Sequence, residues 1–127
     1  MNYSERFSSK FFARLLKPEG QNPIRDRATS FEIIFELLDQ KQNKDNYLIV
    51  ETGCMRGDHK PANSPYALGD DGASTYIFDD FINFYDGEVL SVDIKQANVD
   101  YADKYTSDRT SVYCSDSVKF LWNLDER

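Results

Sequence analysis

An α/β fold on a parallel sheet is what this sequence predicts, and three observations predict it. Short apolar runs alternate with segments whose apolar residues recur every three or four positions. The apolar runs end on, or just before, Gly53, Asp93 and Asp116. The stretches between the runs have the length of helical crossovers, which parallel strands require.

The elements follow in chain order. Residues Tyr3–Leu16 carry Phe7, Phe11 and Leu15 on one helical face, and Lys17-Pro18-Glu19-Gly20 ends that helix. Thr29-Ser30-Phe31-Glu32 has the form of a capping box, followed by Phe31, Ile34, Phe35 and Leu38 at helical spacing. Tyr47-Leu48-Ile49-Val50 is a continuous apolar run, expected as a strand buried on both faces that stops at Glu51. Residues 55–71 contain Gly57, Pro61, Pro65 and Gly69 and are expected as a long inserted loop. Gly72-Ala73-Ser74-Thr75 opens the next helix, with Ser74 as its expected N-cap. Phe78, Phe81, Ile82 and Tyr85 form its apolar face, and Gly87 is expected at its left-handed C-terminal position. Glu88–Ile94 is the second expected strand, Ala97–Tyr105 a short helix, Thr110–Cys114 the third strand and Ser117–Trp122 a final helix. The order from Tyr47 onward is β-α-β-α-β-α. It is the first half of a doubly wound, Rossmann-like three-layer sandwich, preceded by N-terminal helices. Two regions are therefore expected, an N-terminal helical segment over 1–46 and a Rossmann-like half-domain over 47–127.

Composition narrows the function classes. The 127 residues include nine Phe and eight Tyr, enough apolar surface for a packed core rather than a disordered chain. The net charge of −7 argues against a nucleic-acid partner, because an acidic surface repels phosphate. Two cysteines far apart make neither a disulfide scaffold nor a zinc site, and fit a reducing compartment. No apolar run approaches the roughly 20 residues of a membrane span, and no secretory leader is visible at Met1–Lys10. A cytoplasmic location is the expectation.

In an open α/β sheet, ligands bind beyond the carboxyl ends of the strands. Gly53 after the first strand permits a tight turn and a close approach of backbone to ligand. The helix start at Ser74 offers free N–H groups and a partial positive charge to a carboxylate. Asp93 ends the second strand about 20 residues beyond Gly72, the interval of a ribose-binding acid. Asp116 follows the third strand, where it can accept from an adenine amino group.

Glu51-x-Gly53, Gly72-Ala73-Ser74, Val92-Asp93-Ile94 and Cys114-Ser115-Asp116-Ser117 together resemble class I S-adenosyl-L-methionine (SAM)-dependent methyltransferases of the small-molecule O-methyltransferase type. The resemblance spans roughly Tyr47 to Leu121. It implies a methyl transfer from SAM to a small-molecule acceptor. It also implies that Glu51 orients the methionyl amino group, that Gly53 and Gly72 lie in the cofactor loop and that Ser74 contacts the methionyl carboxylate. Asp93 would hold the ribose, Ile94 the adenine face, and Asp116 and Ser117 the adenine edge. Two departures stand out. About fifteen extra residues separate the two halves of the glycine loop. The order also stops after three of the family's seven or so strands, before those that carry most of the acceptor pocket. The chain is therefore expected to be a fragment, or to have its open sheet edge completed by an oligomer or partner. No catalytic base is named.

Other reactive residues carry blander expectations. His59 is a lone loop histidine, and Asp70-Asp71 lack further ligands for a metal. Cys54 is expected as a buried inert thiol, Asp93 and Asp116 can each serve as helix caps, and Trp122 is expected to pack on the sheet or on sequence beyond this chain. Two rival functions remain: a nicotinamide-dinucleotide Rossmann unit, which lacks its compact G-x-G-x-x-G here, and a non-catalytic interaction module.

Overall fold

The computed structural model describes residues 1–12, 28–55 and 74–124. They fall into two compact units, one of residues 1–12 and 28–44, the other of residues 45–55 and 74–124. The expected break at Lys17–Gly20, Gly72 and most of the inserted loop lie outside the described residues.

The first unit is an aromatic helical cluster. Helix α1 (Tyr3–Phe7) opens on a capping box in which the Asn2 side chain accepts from Glu5 N–H and the Glu5 carboxylate accepts from Asn2 N–H. The chain then continues as a π-helical segment, Ser8–Phe12, in place of the uniform α-helix that the Phe7/Phe11 spacing predicts. Phe7 and Phe11 are both fully buried. Helix α2 (Ala28–Asp39) packs on this segment through Phe31 and Phe35. Tyr3 meets Phe35 edge-on at 4.6 Å, and Phe7 lies 5.2 Å from the same ring. Asp39, at the far end of α2, accepts from the N–H groups of Tyr3 and Ser4 at 3.1 and 2.9 Å. Two sequence expectations change here. Ala28 already belongs to α2, so Thr29 sits in its first turn and is not its cap. Ile34 is 40 % exposed, because the buried stripe follows Phe31 and Phe35.

The second unit is an α/β layer structure on a three-stranded, all-parallel sheet in the order β1-β2-β3. Strand β1 is Tyr47–Thr52, β2 is Gly87–Asp93 and β3 is Thr110–Cys114. Between them run α3 (Ser74–Phe84) and α4 (Gln96–Lys104), and α5 (Ser117–Trp122) follows β3. This is the Rossmann-like order that the alternation of apolar patterns predicts. Registers Glu51↔Ser91 and Ser91↔Val112 place Tyr47, Glu51, Ser91, Thr110 and Val112 on one face of the sheet. Helix α3 covers that face: Phe81 meets Tyr47 at 4.8 Å, and Asp79 accepts from Thr110 Oγ1 at 2.6 Å. Phe120 of α5 lies 5.2 Å from Tyr113, which points to the opposite face.

Three local expectations are corrected. Strand β1 runs through Glu51 and Thr52, since both pair with β2. It is not buried on both faces, because it has one strand neighbour among the described residues and Leu48 is 56 % exposed. Gly87 is the first residue of β2 and not a helix cap; at φ +135° its missing Cβ would lie 2.0 Å from the Tyr47 carbonyl oxygen. Trp122 does not pack on the sheet and is 84 % exposed.

Candidate functional site

The carboxyl ends of all three strands are tied together by backbone hydrogen bonds beyond the ladder itself. Gly53 N–H donates to Val92 O at 2.7 Å, and Ser115 N–H donates to Asp93 O at 3.0 Å. These two bonds draw the loops after β1 and β3 toward the end of β2. The result is a cleft of about 250 Å3 lined by Gly53, Asp93, Ile94, Asp116 and Ser117, together with Val92 and Ser115. Five of the eight residues singled out in the sequence therefore share one cleft.

Each wall has a local cause. Gly53 sits at φ +82°, a left-handed conformation that residues with a Cβ adopt only with strain. A Cβ built there meets nothing within 4 Å, so it is the backbone angle and not crowding that calls for glycine. Asp93 closes β2 and turns the chain: its Oδ1 accepts from Lys95 N–H at 2.9 Å and from Asn98 Nδ2 at 3.4 Å. The residue that caps α4 is Lys95, without a side-chain bond, so Asp93 is not itself the cap. Asp116 is a cap, and its Oδ1 accepts from the N–H groups of Val118 and Lys119 at 2.9 and 3.1 Å. Capping does not remove it from the cleft, because its carboxylate stays exposed there. Ile94 is 71 % exposed, an apolar surface beside the acid.

Glu51 and Ser74 do not line this cleft. They bond to each other within a second cluster, in which Ser74 Oγ donates to Glu51 Oε2. Thr75 Oγ1 and Ser91 Oγ donate to Glu51 Oε1 at 2.5 and 2.7 Å. Thr75 Oγ1 in turn accepts from Met55 N–H at 3.0 Å, which anchors the exit of β1 to the start of α3. A buried carboxylate needs such donors, because stripping it of water without them is costly. Ser74 is the first helical residue of α3. Thr75 and Ser91 are further members of this cluster, outside the residues that the sequence motifs mark. Ser91 carried a signal: a hydroxyl inside the apolar run Val89–Val92 must find a partner once buried.

Cys54 stands beside Asp93, behind the glycine turn. Burial first, then the Asp93 and Glu51 carboxylates, push its thiol up to about 12. It stays protonated at neutral pH and is no nucleophile. Among the described residues no group of His, Cys, Asp and Glu could hold a metal ion. His59 and Asp70-Asp71 lie outside the described residues.

A larger hollow of about 360 Å3 lies at the other side of the β3–α5 junction, between Tyr113, Lys119, Phe120 and Asn123. It is mostly apolar and contains no strand-end acid. The smaller cleft has the better claim to ligand chemistry, since polar groups from three strand ends converge in it.

The electrostatics of the cleft are one-sided. Two carboxylates face it, and no Lys or Arg is among its lining residues. Such a site favours hydroxyl and amino donors and positive charge, and disfavours phosphate. No helix of the described residues is long and apolar enough to cross a membrane. No protein-family model, no curated protein and no solved structure matches this chain.

Proposed function

We propose that the second unit binds the nucleoside of S-adenosyl-L-methionine in the cleft at its strand ends and serves a methyltransferase acting on a small-molecule acceptor. The observation that carries this reading is the pairing of Asp93 and Asp116 across a cleft that no basic side chain lines. A ribose offers two hydroxyl donors and an adenine one amino donor, and each suits a carboxylate. The cofactor's sulfonium and ammonium charges suit the same field, whereas the pyrophosphate of a dinucleotide does not.

The residues present fit the nucleoside part of the group. In this reading Asp93 takes the ribose, Ile94 the adenine face, and Asp116 with Ser117 the adenine edge. Gly53 offers bare backbone to the ligand. A volume of about 250 Å3 is of the order of a nucleoside, below the roughly 300–1,000 Å3 of sites that enclose a whole drug-sized ligand. The bound cofactor supplies an activated methyl group, and the protein supplies binding and orientation. For the methionyl end, the resemblance assigns Glu51 and Ser74. Here both are engaged with each other, so their part is to fix the glycine turn through Thr75 and Met55.

Equilibrium binding of S-adenosylhomocysteine and of NAD to the purified chain tests the reading. Saturable binding of the first, weakened at least tenfold by Asp93→Ala, and none of the second is the expected outcome. Binding of NAD alone moves the assignment to a dinucleotide site. Binding of neither, with a stable oligomer on size analysis, favours the interaction module; the exposed Val118, Leu121 and Trp122 of α5 are the observation behind that rival.

A further inference from the structure

Asp93 is the cleft acid whose carboxylate accepts from a side-chain amide as well as from a backbone N–H, whereas Asp116 accepts from backbone N–H groups. From α4, Asn98 Nδ2 reaches Oδ1 at 3.4 Å, and the Lys95 N–H reaches the same oxygen at 2.9 Å. Asn98 is half-buried in the first turn of α4, and its own N–H donates to Lys95 O at 3.1 Å, so its backbone is fixed. It does not line the cleft.

Resting on the nucleoside reading above, we infer that Asn98 is a positioning residue that sets the Asp93 carboxylate for a vicinal diol. Two donors on Oδ1 hold the plane of the carboxylate against rotation about its terminal torsion, which is otherwise broad. Oδ2 is then the oxygen presented to the ligand, and its two lone pairs can accept from two adjacent hydroxyls. A hydrogen bond of 3.4 Å is long, and such contacts shorten when a ligand fixes the acid. The consequence is selective. Loss of Asn98 should weaken ligands that carry the diol and spare those that lack it.

Calorimetric titration of the full chain with adenosine and with 2′,3′-dideoxyadenosine reads this directly. Asn98→Ala is expected to weaken adenosine about three- to tenfold, the effect of one hydrogen bond, and to leave the dideoxy ligand within about twofold of wild type. Asn98→Asp keeps the shape and replaces the donor by an acceptor beside Asp93; it is expected to weaken adenosine at least as much, and it carries the comparison if Asn98→Ala does not fold. Equal losses for both ligands, or no loss for adenosine, overturn the positioning role while the nucleoside site stands. A wild-type chain that binds adenosine no better than the dideoxy ligand overturns the diol assignment of Asp93, and the inference with it.

Discussion

Gly53 and Gly87 both sit at positive φ, yet a methyl group should have different consequences at each. At Gly87 an added Cβ would lie 2.0 Å from the Tyr47 carbonyl oxygen, and backbone cannot move aside as a side chain can. Gly87→Ala is therefore expected to cost at least about 3 kcal/mol in urea unfolding, combining overpacking with backbone strain. Gly53→Ala meets open space and carries only the strain of its angle, about 1 kcal/mol. A Gly53→Ala loss as large as that of Gly87→Ala would show that the turn is more crowded than described. Cys54 supports a second prediction at this scale. Its folded-state value of about 12 stands above the ordinary 9.0, so the folded protein holds the proton longer than the unfolded chain. The stabilising difference is complete below pH 9 and is lost as pH rises toward 12. Cys54→Ala should flatten the alkaline decline in stability relative to wild type. At pH 8, iodoacetamide should label the exposed Cys114 in the native protein and reach Cys54 only after denaturation.

Two acids join elements rather than ligands. Asp79 of α3 accepts from Ser107 N–H at 3.1 Å, Ser107 Oγ at 2.8 Å and Thr110 Oγ1 at 2.6 Å, and so fixes the entry of β3. Asp79→Ala leaves a buried Thr110 hydroxyl without this acceptor and should cost about 2–3 kcal/mol of stability. The Asp86–Arg109 pair spans the entries of β2 and β3, and the Arg109 hydrogen bond, helped by Gly87 N–H, holds the Asp86 carboxyl below its usual range. Being at the surface, this pair adds little to stability. Asp116 caps α5, and the proposed function gives it a ligand contact as well. Asp116→Ala should remove about 1 kcal/mol through the lost cap of α5 and also weaken S-adenosylhomocysteine. Asp116→Asn retains a capping oxygen, so it should restore most of the stability while binding stays impaired. Recovery of stability and affinity together would assign Asp116 to capping alone.

Over the whole molecule, 22 acidic residues face 15 basic ones, and two of the acids meet in the cleft. The field of the protein thus adds to that of the site. S-adenosylmethionine carries one positive charge more than S-adenosylhomocysteine. Its relative affinity should therefore be highest at low ionic strength and fall as salt rises from about 0.01 to 0.15 M, where the screening length drops from about 30 to 8 Å. An affinity ratio independent of salt would show that the carboxylates lie too far from the sulfonium to matter.

The amino-acid sequence by itself determined the order of elements and the turn residues that follow the apolar runs. These depend on local periodicity and on residues such as Gly53, Asp93 and Asp116, whose chain positions mark where apolar runs stop. The tertiary structure alone decided which side chains meet. Glu51 finds its hydroxyls 23, 24 and 40 residues away, and no local pattern reports such pairings. It decided the length and exposure of β1 as well, since Thr52 becomes strand only by pairing with Val92, and Leu48 stays exposed on a strand with one neighbour. Gly87 looked like a helix cap because its spacing from α3 suits one, and only the approach of Tyr47 reveals it as the entry of β2. Pairing and burial are relations between distant parts of the chain, whereas periodicity belongs to each segment alone.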